Sequence, residues 1–438
     1  MRGAVIRSPG LRASRIPMQR NELLSLLGRP GSAGIEGWSE EGLWRVFLPW
    51  PREIVEIPWR DATSWPSVVG ALDRGPISAP SIPEECPFIG GWVGYISYEA
   101  AAELDAAAPR ETPPPEPPAW FAFHDSGVAI SPGGRSWFFG AADDELARNT
   151  SSPGRTIRNL RCREFSESLG QSGFEASVQL IRDQISNGNV YQVNLTQRFE
   201  GLGDVDGATL YEALTAPEPP RRSALLIGDD WSIASASPEI LLRFDRRRGI
   251  ADSCPIKGTV RRSGNDGADR ECLLSSAKDA AEHLMIVDLV RNDLGRIARP
   301  GRVTVPEFRS LLRLEHVFHL ESVVRASGLR DVPLAEILRA LLPAGSITGA
   351  PKRAAIDLIR RIEPVPRGVY TGAIGFVDLR GRTELSVAIR TAVTSKDHVR
   401  YHAGGGIVWD SDPASEYREA EAKSVAFLRF LGKERCER

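Results

Sequence analysis

An α+β fold, with large antiparallel or mixed β-sheets flanked by helices, is what this 438-residue chain predicts. Three observations carry the prediction. Stretches alternating apolar and polar residues recur through the second half of the chain, stripes of helical period lie between them, and their order is mixed rather than a regular strand-helix-strand repetition. No internal repeat is visible.

Taken in order, Phe88 to Tyr98 mixes aromatics, β-branched residues and glycines, as strands with close backbone approaches do. The proline-rich Thr112 to Pro118 reads as a stiff connector or surface loop. A polar, turn-rich stretch from Gly140 to Gly173 places a domain boundary between an amino-terminal 1–150 region and a 170–433 region. Ser172 and Glu175 have capping-box spacing, and Phe174, Val178, Ile181 and Ile185 recur at helical spacing before Gly188. In Tyr191 to Thr196 the polar side chains Gln192, Asn194 and Thr196 share one strand face, which is either solvent or a site. Further strands are expected at 224–227, 372–378, 384–393 and 398–408, with a hairpin turn at Arg380-Gly381, and helices at 279–290, 352–362 and 414–431.

Composition narrows the function. The chain is 42% hydrophobic and 26% charged with a net charge of -2, which points to small-molecule chemistry and not to nucleic acid. No apolar run approaches membrane-spanning length and the first residues lack a signal-peptide core, so a cytoplasmic protein without membrane contact is expected. Five scattered cysteines (Cys86, Cys162, Cys254, Cys272, Cys436) form no Cys-x-x-Cys pair and read as reduced structural thiols.

Two carboxylate pairs, Asp279 with Glu282 and Glu416 with Glu419, each present both acids on one helical face. Two such faces can hold one Mg²⁺, which takes hard oxygen ligands from a few carboxylates, water and substrate; solvated helix faces are the bland alternative. Lys423, four residues after Glu419, suits an ordinary surface ion pair. Gly345 to Lys352 leads into a helix through Pro351 and offers backbone N–H groups to an anion, though it is not a P-loop. Gly404-Gly405-Gly406 leaves the backbone open to close approach, or is a mere bulge, and Arg390 can fork onto a carboxylate. Together these describe a site for a small, multiply anionic substrate with a magnesium ion screening one carboxylate.

These segments in this order, with Glu282 to Arg296 (EHLMIVDLVRNDLGR), resemble the chorismate-utilising enzymes, which include component I of anthranilate synthase and of aminodeoxychorismate synthase, isochorismate synthase and salicylate synthase. The resemblance runs from about Phe174 to Leu431 and more faintly over Phe88 to Glu99; the first eighty or so residues match no motif. It implies an anthranilate synthase component I-like, two-lobed sandwich, with 1–150 as the amino-terminal region and 170–433 as the chorismate-binding catalytic domain. It implies that Glu282 and Glu419 bind Mg²⁺ directly while Glu416 and Asp279 assist through water. Arg390, Tyr370 and Gly404 to Gly406 match carboxylate-holding positions, the turn with Thr348 and Gly349 lies near the ring, and Gln192 and Lys423 complete the substrate-binding set. His319 takes the family's active-site histidine position. Glu239 matches the general acid for the departing C4 hydroxyl, which needs a raised pKa.

Two positions separate the family's reactions. Gln192 stands where the water-adding members carry a lysine, and is not basic. Lys257, in Pro255-Ile256-Lys257-Gly258-Thr259, stands where anthranilate synthases have alanine and is typical of the aminodeoxychorismate branch; Val260-Arg261-Arg262 mildly favours the same branch. The resemblance implies attack of the Lys257 amine on C2 of chorismate, then addition of ammonia at C4, giving 4-amino-4-deoxychorismate for 4-aminobenzoate and folate synthesis. Such catalysis requires a neutral amine, supplied by desolvation or nearby cations. The alternative is an anthranilate synthase that tolerates lysine. No cysteine lies in a Gly-x-Cys-x-Gly turn, so ammonia is expected from a separate glutamine amidotransferase subunit, and a separate lyase is expected to act on the product.

Overall fold

The computed structural model describes residues 20–39, 42–72, 85–102, 114–140, 164–216, 219–313 and 317–433. Two large antiparallel sheets dominate it. In the first, the order is Gly349–Ala350, Gln192–Leu202, His398–Ile407, Thr391–Ser395, Trp231–Ser237, Arg222–Ile227, Ala33–Ser39, Gly42–Leu48, Gly127–Ile130 and Ser136–Phe139, with Phe165–Glu167 beside Gln192–Leu202. In the second it is Ile256–Arg261, Val317–Ser327, Ile250–Cys254, Ile240–Asp245, Arg382–Val387, Ala373–Asp378, Gly91–Ile96, Ala119–His124 and Glu53–Ile57, with Val303–Arg313 beside Val317–Ser327.

The inner faces of the two sheets pack together. Trp231 of the first meets Tyr95 and Trp120 of the second edge to face, with ring centroids 5.7 and 5.3 Å apart, inside one apolar cluster fed by both sheets. Helices Trp65–Leu72, Ala277–Gly295, Leu334–Leu341 and Lys352–Ile362 share a second cluster with strands of both sheets, while Gly207–Thr215 and Pro413–Phe430 cover the far side of the first sheet. The expected sandwich of antiparallel sheets flanked by helices is thus the observed fold. Glycines allow close strand approach: a Cβ on Gly94 would sit 2.0 Å from the Trp120 carbonyl oxygen.

The expected domain boundary falls largely on residues 141–163, outside the described residues, as do Cys162, Cys436 and part of the proline-rich connector. Segments on either side of it share both sheets: Ala33–Ser39 pairs with Arg222–Ile227, and Gly91–Ile96 with Ala373–Asp378. Cys86, Cys254 and Cys272 are free thiols. Among the described residues no helix is long and apolar enough to cross a membrane.

Two expectations need correction. Ser172 and Glu175 do not cap a helix: the helix starts at Gly170, and its cap position Leu169 makes no side-chain cap bond. The expected strand at 384–393 is two strands in different sheets, Arg382–Val387 and Thr391–Ser395, because the chain crosses between layers at Ala388 to Arg390. Arg390 makes the turn with φ +49°, a left-handed conformation costly for a residue with a Cβ, and the Ala236 N–H donates to its carbonyl at 3.0 Å. By contrast the Arg380-Gly381 hairpin turn is present, with Gly381 at φ +84°.

Candidate active site

The site forms where the end of the second sheet meets the glycine run of the first. Ile256–Arg261 pairs with Val317–Ser327, but the register slips between Ile256 and Thr259, leaving Lys257 and Gly258 in a bulge. A bulge re-aims side chains, and here it brings Lys257 toward the Ala277–Gly295 helix. Gly258, at φ +88°, permits the approach: a Cβ there would lie 3.4 Å from the Asp279 Cβ. The Lys257 Nζ then reaches the Glu282 Oε2 at 2.7 Å. The ion-pair partner of the amine is therefore a carboxylate, where the sequence reading asked for desolvation or nearby cations, because the bulge faces the acidic side of that helix.

Across the gap lies Gly404 to Gly406, paired on one side with Leu195, Thr196 and Asn194. On the other side, pairing with Thr391–Ser395 ends at Tyr401, so no strand covers the glycines there. A Cβ on Gly406 would sit 2.6 Å from the Gln192 Nε2 and 3.4 Å from the Lys257 Nζ. A Cβ on Gly405 would sit 3.3 Å from the Glu416 Oε2 and 3.6 Å from both the Glu419 Oε1 and the Lys423 Nζ. The two faces of the glycine strand thus see different chemistry: the amide and amine on one, the carboxylates of Pro413–Phe430 on the other.

Both expected carboxylate pairs are on helices as anticipated. Glu419 is paired with Lys423 at 2.7 Å, Lys423 also donates to the Gly404 carbonyl at 2.8 Å, and the Ser411 hydroxyl donates to Glu416 at 2.6 Å. Among the described residues no three histidine, cysteine or acidic side chains stand close enough together to hold a metal. Gln192 is fully buried, and among the described residues neither its Nε2 nor its Oε1 has a partner, which is unusual for a buried amide. The strand face it shares with Asn194 and Thr196 is therefore an interior polar face.

Glu239 is buried and accepts from the Ser346 hydroxyl at 2.6 Å. Burial pushes its carboxyl up to about 7, opposed by the Ser346 hydrogen bond and the charge of Lys257 and reinforced by Glu321. His319 lies opposite Thr259, whose hydroxyl meets its Nδ1 at 2.7 Å; burial, then the charge of Arg390, lowers the imidazole to about 4 and keeps it neutral at pH 7. Tyr370 is buried edge-on to His402, with centroids 5.2 Å apart, and burial raises its phenol, so it stays a neutral donor. Arg390 is exposed at the crossing between sheets. Thr348 is drawn inward instead: its hydroxyl donates to the Ala344 carbonyl at 2.9 Å and its own carbonyl accepts from the Asn194 N–H at 2.8 Å. Gly349 pairs with Val193, and a Cβ on it would fall 2.1 Å from the Gln192 carbonyl oxygen.

Sequence reasoning missed three supports. His283 is buried, with Nδ1 3.1 Å from the Lys257 carbonyl and Nε2 2.7 Å from the Ser322 hydroxyl, and so steadies the bulge from the helix. Thr259 orients His319. Arg367, paired with Glu363 at 2.7 Å, donates to the carbonyls of Ile347 at 2.8 Å and Asn194 at 2.7 Å, tying the Ser346 turn to the Gln192 strand. Only the spacing of Glu363 and Arg367, four residues apart, hinted at this last pair.

The chain is similar to proteins already known. The chain is 34% identical over 348 residues to an anthranilate synthase component 1 of Saccharolobus solfataricus, covering 79% of this chain and 81% of that one. It is 35% identical over 363 residues to an aminodeoxychorismate synthase of Streptomyces griseus, covering 78% of this chain and 50% of that one. The crystal structure of anthranilate synthase component I from Streptococcus pneumoniae superposes with a TM-score of 0.72 at 25% identity, over 97% of this chain and 94% of that one. Residues 59–429, which include the amine, the acid, the glycine strand and all four carboxylates, match the chorismate binding enzymes, and the chain belongs to that family.

Proposed function

We propose that this protein aminates chorismate at C4, forming 4-amino-4-deoxychorismate through a covalent bond to Lys257. The observation that carries the reading is the position of the Lys257 amine, against the glycine wall beside the buried Gln192 amide and within electrostatic reach of Glu239. Arg390 and the open backbone of Gly404 to Gly406 suit the substrate's carboxylates. Glu239, protonated up to about pH 7, donates its proton to the departing C4 hydroxyl, which leaves as water. The Lys257 Nζ, having passed its proton to solvent, bonds to C2 as both conjugated ring double bonds shift and the C4–O bond breaks. Ammonia then bonds to C4, both double bonds shift back, the C2–N bond breaks to return lysine as a neutral amine, and the surplus ammonia proton goes back to Glu239. Gln192 carries no base with which to activate water in competition.

Asp279, Glu282, Glu416 and Glu419 supply only hard oxygen donors, and Glu282 and Glu419 now each hold an ammonium group at 2.7 Å, a charge that a divalent cation can replace. Oxygen-only donors suit Mg²⁺, which would neutralise a substrate carboxylate when bound; no three of the four side chains stand together, so Glu282 and Glu419 would hold it with water and substrate oxygens completing the set. A separate glutamine amidotransferase supplying ammonia, and a separate lyase consuming the product, complete the reading.

A second reading has support in the relatives named anthranilate synthase, one of them 34% identical. In it ammonia bonds to C2 as the C4 hydroxyl leaves as water, and the C3–O bond then breaks to release pyruvate as the ring becomes aromatic. Incubation with chorismate, Mg²⁺ and ammonium, with and without an added lyase, distinguishes the two. A product that becomes 4-aminobenzoate only when lyase is present is expected; fluorescent 2-aminobenzoate formed directly would overturn the first reading. Lys257→Ala is expected to abolish the 4-amino product, and unchanged output would refute the covalent route.

A further inference from the structure

Resting on the metal and amine roles proposed above, we propose that Lys257 is the internal counter-ion of the metal site: cation binding displaces its ammonium from Glu282 toward the Gln192 amide, so that metal loading and release of the amine are one event.

The Glu282 side chain is only 11% exposed, so its carboxylate needs a nearby positive charge, and the Lys257 Nζ supplies it at 2.7 Å. A divalent cation claiming the same oxygens removes that need. The backbone beneath the amine is anchored, because His283 meets the Lys257 carbonyl and Gly258 packs on Asp279, whereas the four-carbon stem is free to swing. The group toward which it can swing is already present. Gln192 Nε2 and the Lys257 Nζ both border the space a Gly406 Cβ would fill, and the buried Gln192 Oε1 is an acceptor with no partner among the described residues.

The Lys423–Glu419 pair is the internal comparison. Its side chains are 41% and 56% exposed, and Lys423 is also held by the Gly404 carbonyl, so its displacement changes little. The cost of metal entry is concentrated at Glu282.

Mn²⁺ binding to the full chain, followed by the electron paramagnetic resonance of the free ion, tests this without turnover. Lys257→Met is expected to bind Mn²⁺ on the order of tenfold tighter than the wild type, and Lys423→Met no more than about threefold tighter. Glu282→Gln is expected to lose the ion. Unchanged or weaker binding by Lys257→Met, with Glu282→Gln still defective, would overturn the counter-ion role while leaving the metal site standing. Equal tightening in both lysine variants would also overturn it, as a general charge effect. Wild-type affinity in Glu282→Gln, or no Mn²⁺ binding by any of the proteins, would remove the metal reading and the inference with it. In a Mn²⁺-soaked crystal the Lys257 Nζ is expected to have left Glu282; a retained contact beside bound metal would refute the displacement.

Discussion

Two of the ion pairs in this interior are built in opposite ways. Arg367 and Glu363 have side chains only 2% and 5% exposed, and the guanidinium spends its donors on both Glu363 oxygens and the carbonyls of Ile347 and Asn194. Glu363 in turn accepts from the N–H and hydroxyl of Thr196. Lys257 and Glu282 are 26% and 11% exposed, and the cation is a point charge on a flexible stem at a strand bulge. A planar fork with every donor used fixes three segments relative to one another, whereas a lysine can change partner at little cost. The framework pair holds the Ser346 turn against the Gln192 strand; the pair proposed to take part in the reaction lies beside Gln192 at Gly406.

The largest expected effect breaks the framework side of this comparison. Arg367→Leu leaves Glu363 buried without its cation and is expected to cost about 3–5 kcal/mol in urea unfolding. Arg367→Lys is expected to recover little, because one ammonium cannot reach the carboxylate and two carbonyls together. A loss below about 1 kcal/mol would show that the pair carries no structural load.

Glu239 sharpens the comparison as a third buried carboxyl, one held by a hydroxyl and not by a contacting cation. Its folded pKa, about 7, lies above the ordinary 4.5, so its stabilising contribution is present in acid and is lost as pH rises through 7. Above that pH the ionised group opposes folding by on the order of 3 kcal/mol. Glu239→Gln, which cannot ionise, is therefore expected to be more stable than wild type at pH 8.5 and close to it at pH 4, while amination is lost. The same group predicts a basic limb in the wild-type rate near pH 7, since the acid must be protonated to act. Equal stability differences at both pH values would contradict the raised pKa.

How far this was legible in the sequence depends on the range of each interaction. The carboxylate pairs Asp279–Glu282 and Glu416–Glu419 were visible because helical spacing puts three-apart residues on one face. The alternation through Gln192, Asn194 and Thr196 showed a shared face, and the fold class followed from the order of strands and helices. The Ser346–Glu239 hydrogen bond spans 107 residues and depends on a 3₁₀ turn meeting the connection between two strands, which no local pattern encodes. The crossing at Arg390 was hidden for the same reason: alternation continues through Leu385 and Val387 toward Val393, while the chain changes sheets between them. Glu363 and Arg367 carry no local sign of burial, which only the assembled sheets impose. Lys257 was legible by its resemblance, but its carboxylate partner was not, because the bulge that aims it is a property of strand register.

The smallest expected effects lie at the two lysine pairs. Lys423→Met is expected to change unfolding free energy by less than about 0.5 kcal/mol, since an exposed pair gains little over two hydrated charges. Lys257→Met is expected to cost about 1–2 kcal/mol, less than Arg367→Leu, because Glu282 is 11% exposed where Glu363 is 5% exposed. Urea unfolding of both variants beside Arg367→Leu places the three cations on one scale. If Lys257→Met matched the loss in Arg367→Leu, Lys257 would be a framework residue, and an amine that the fold cannot spare would be poorly suited to leave its carboxylate for a substrate carbon.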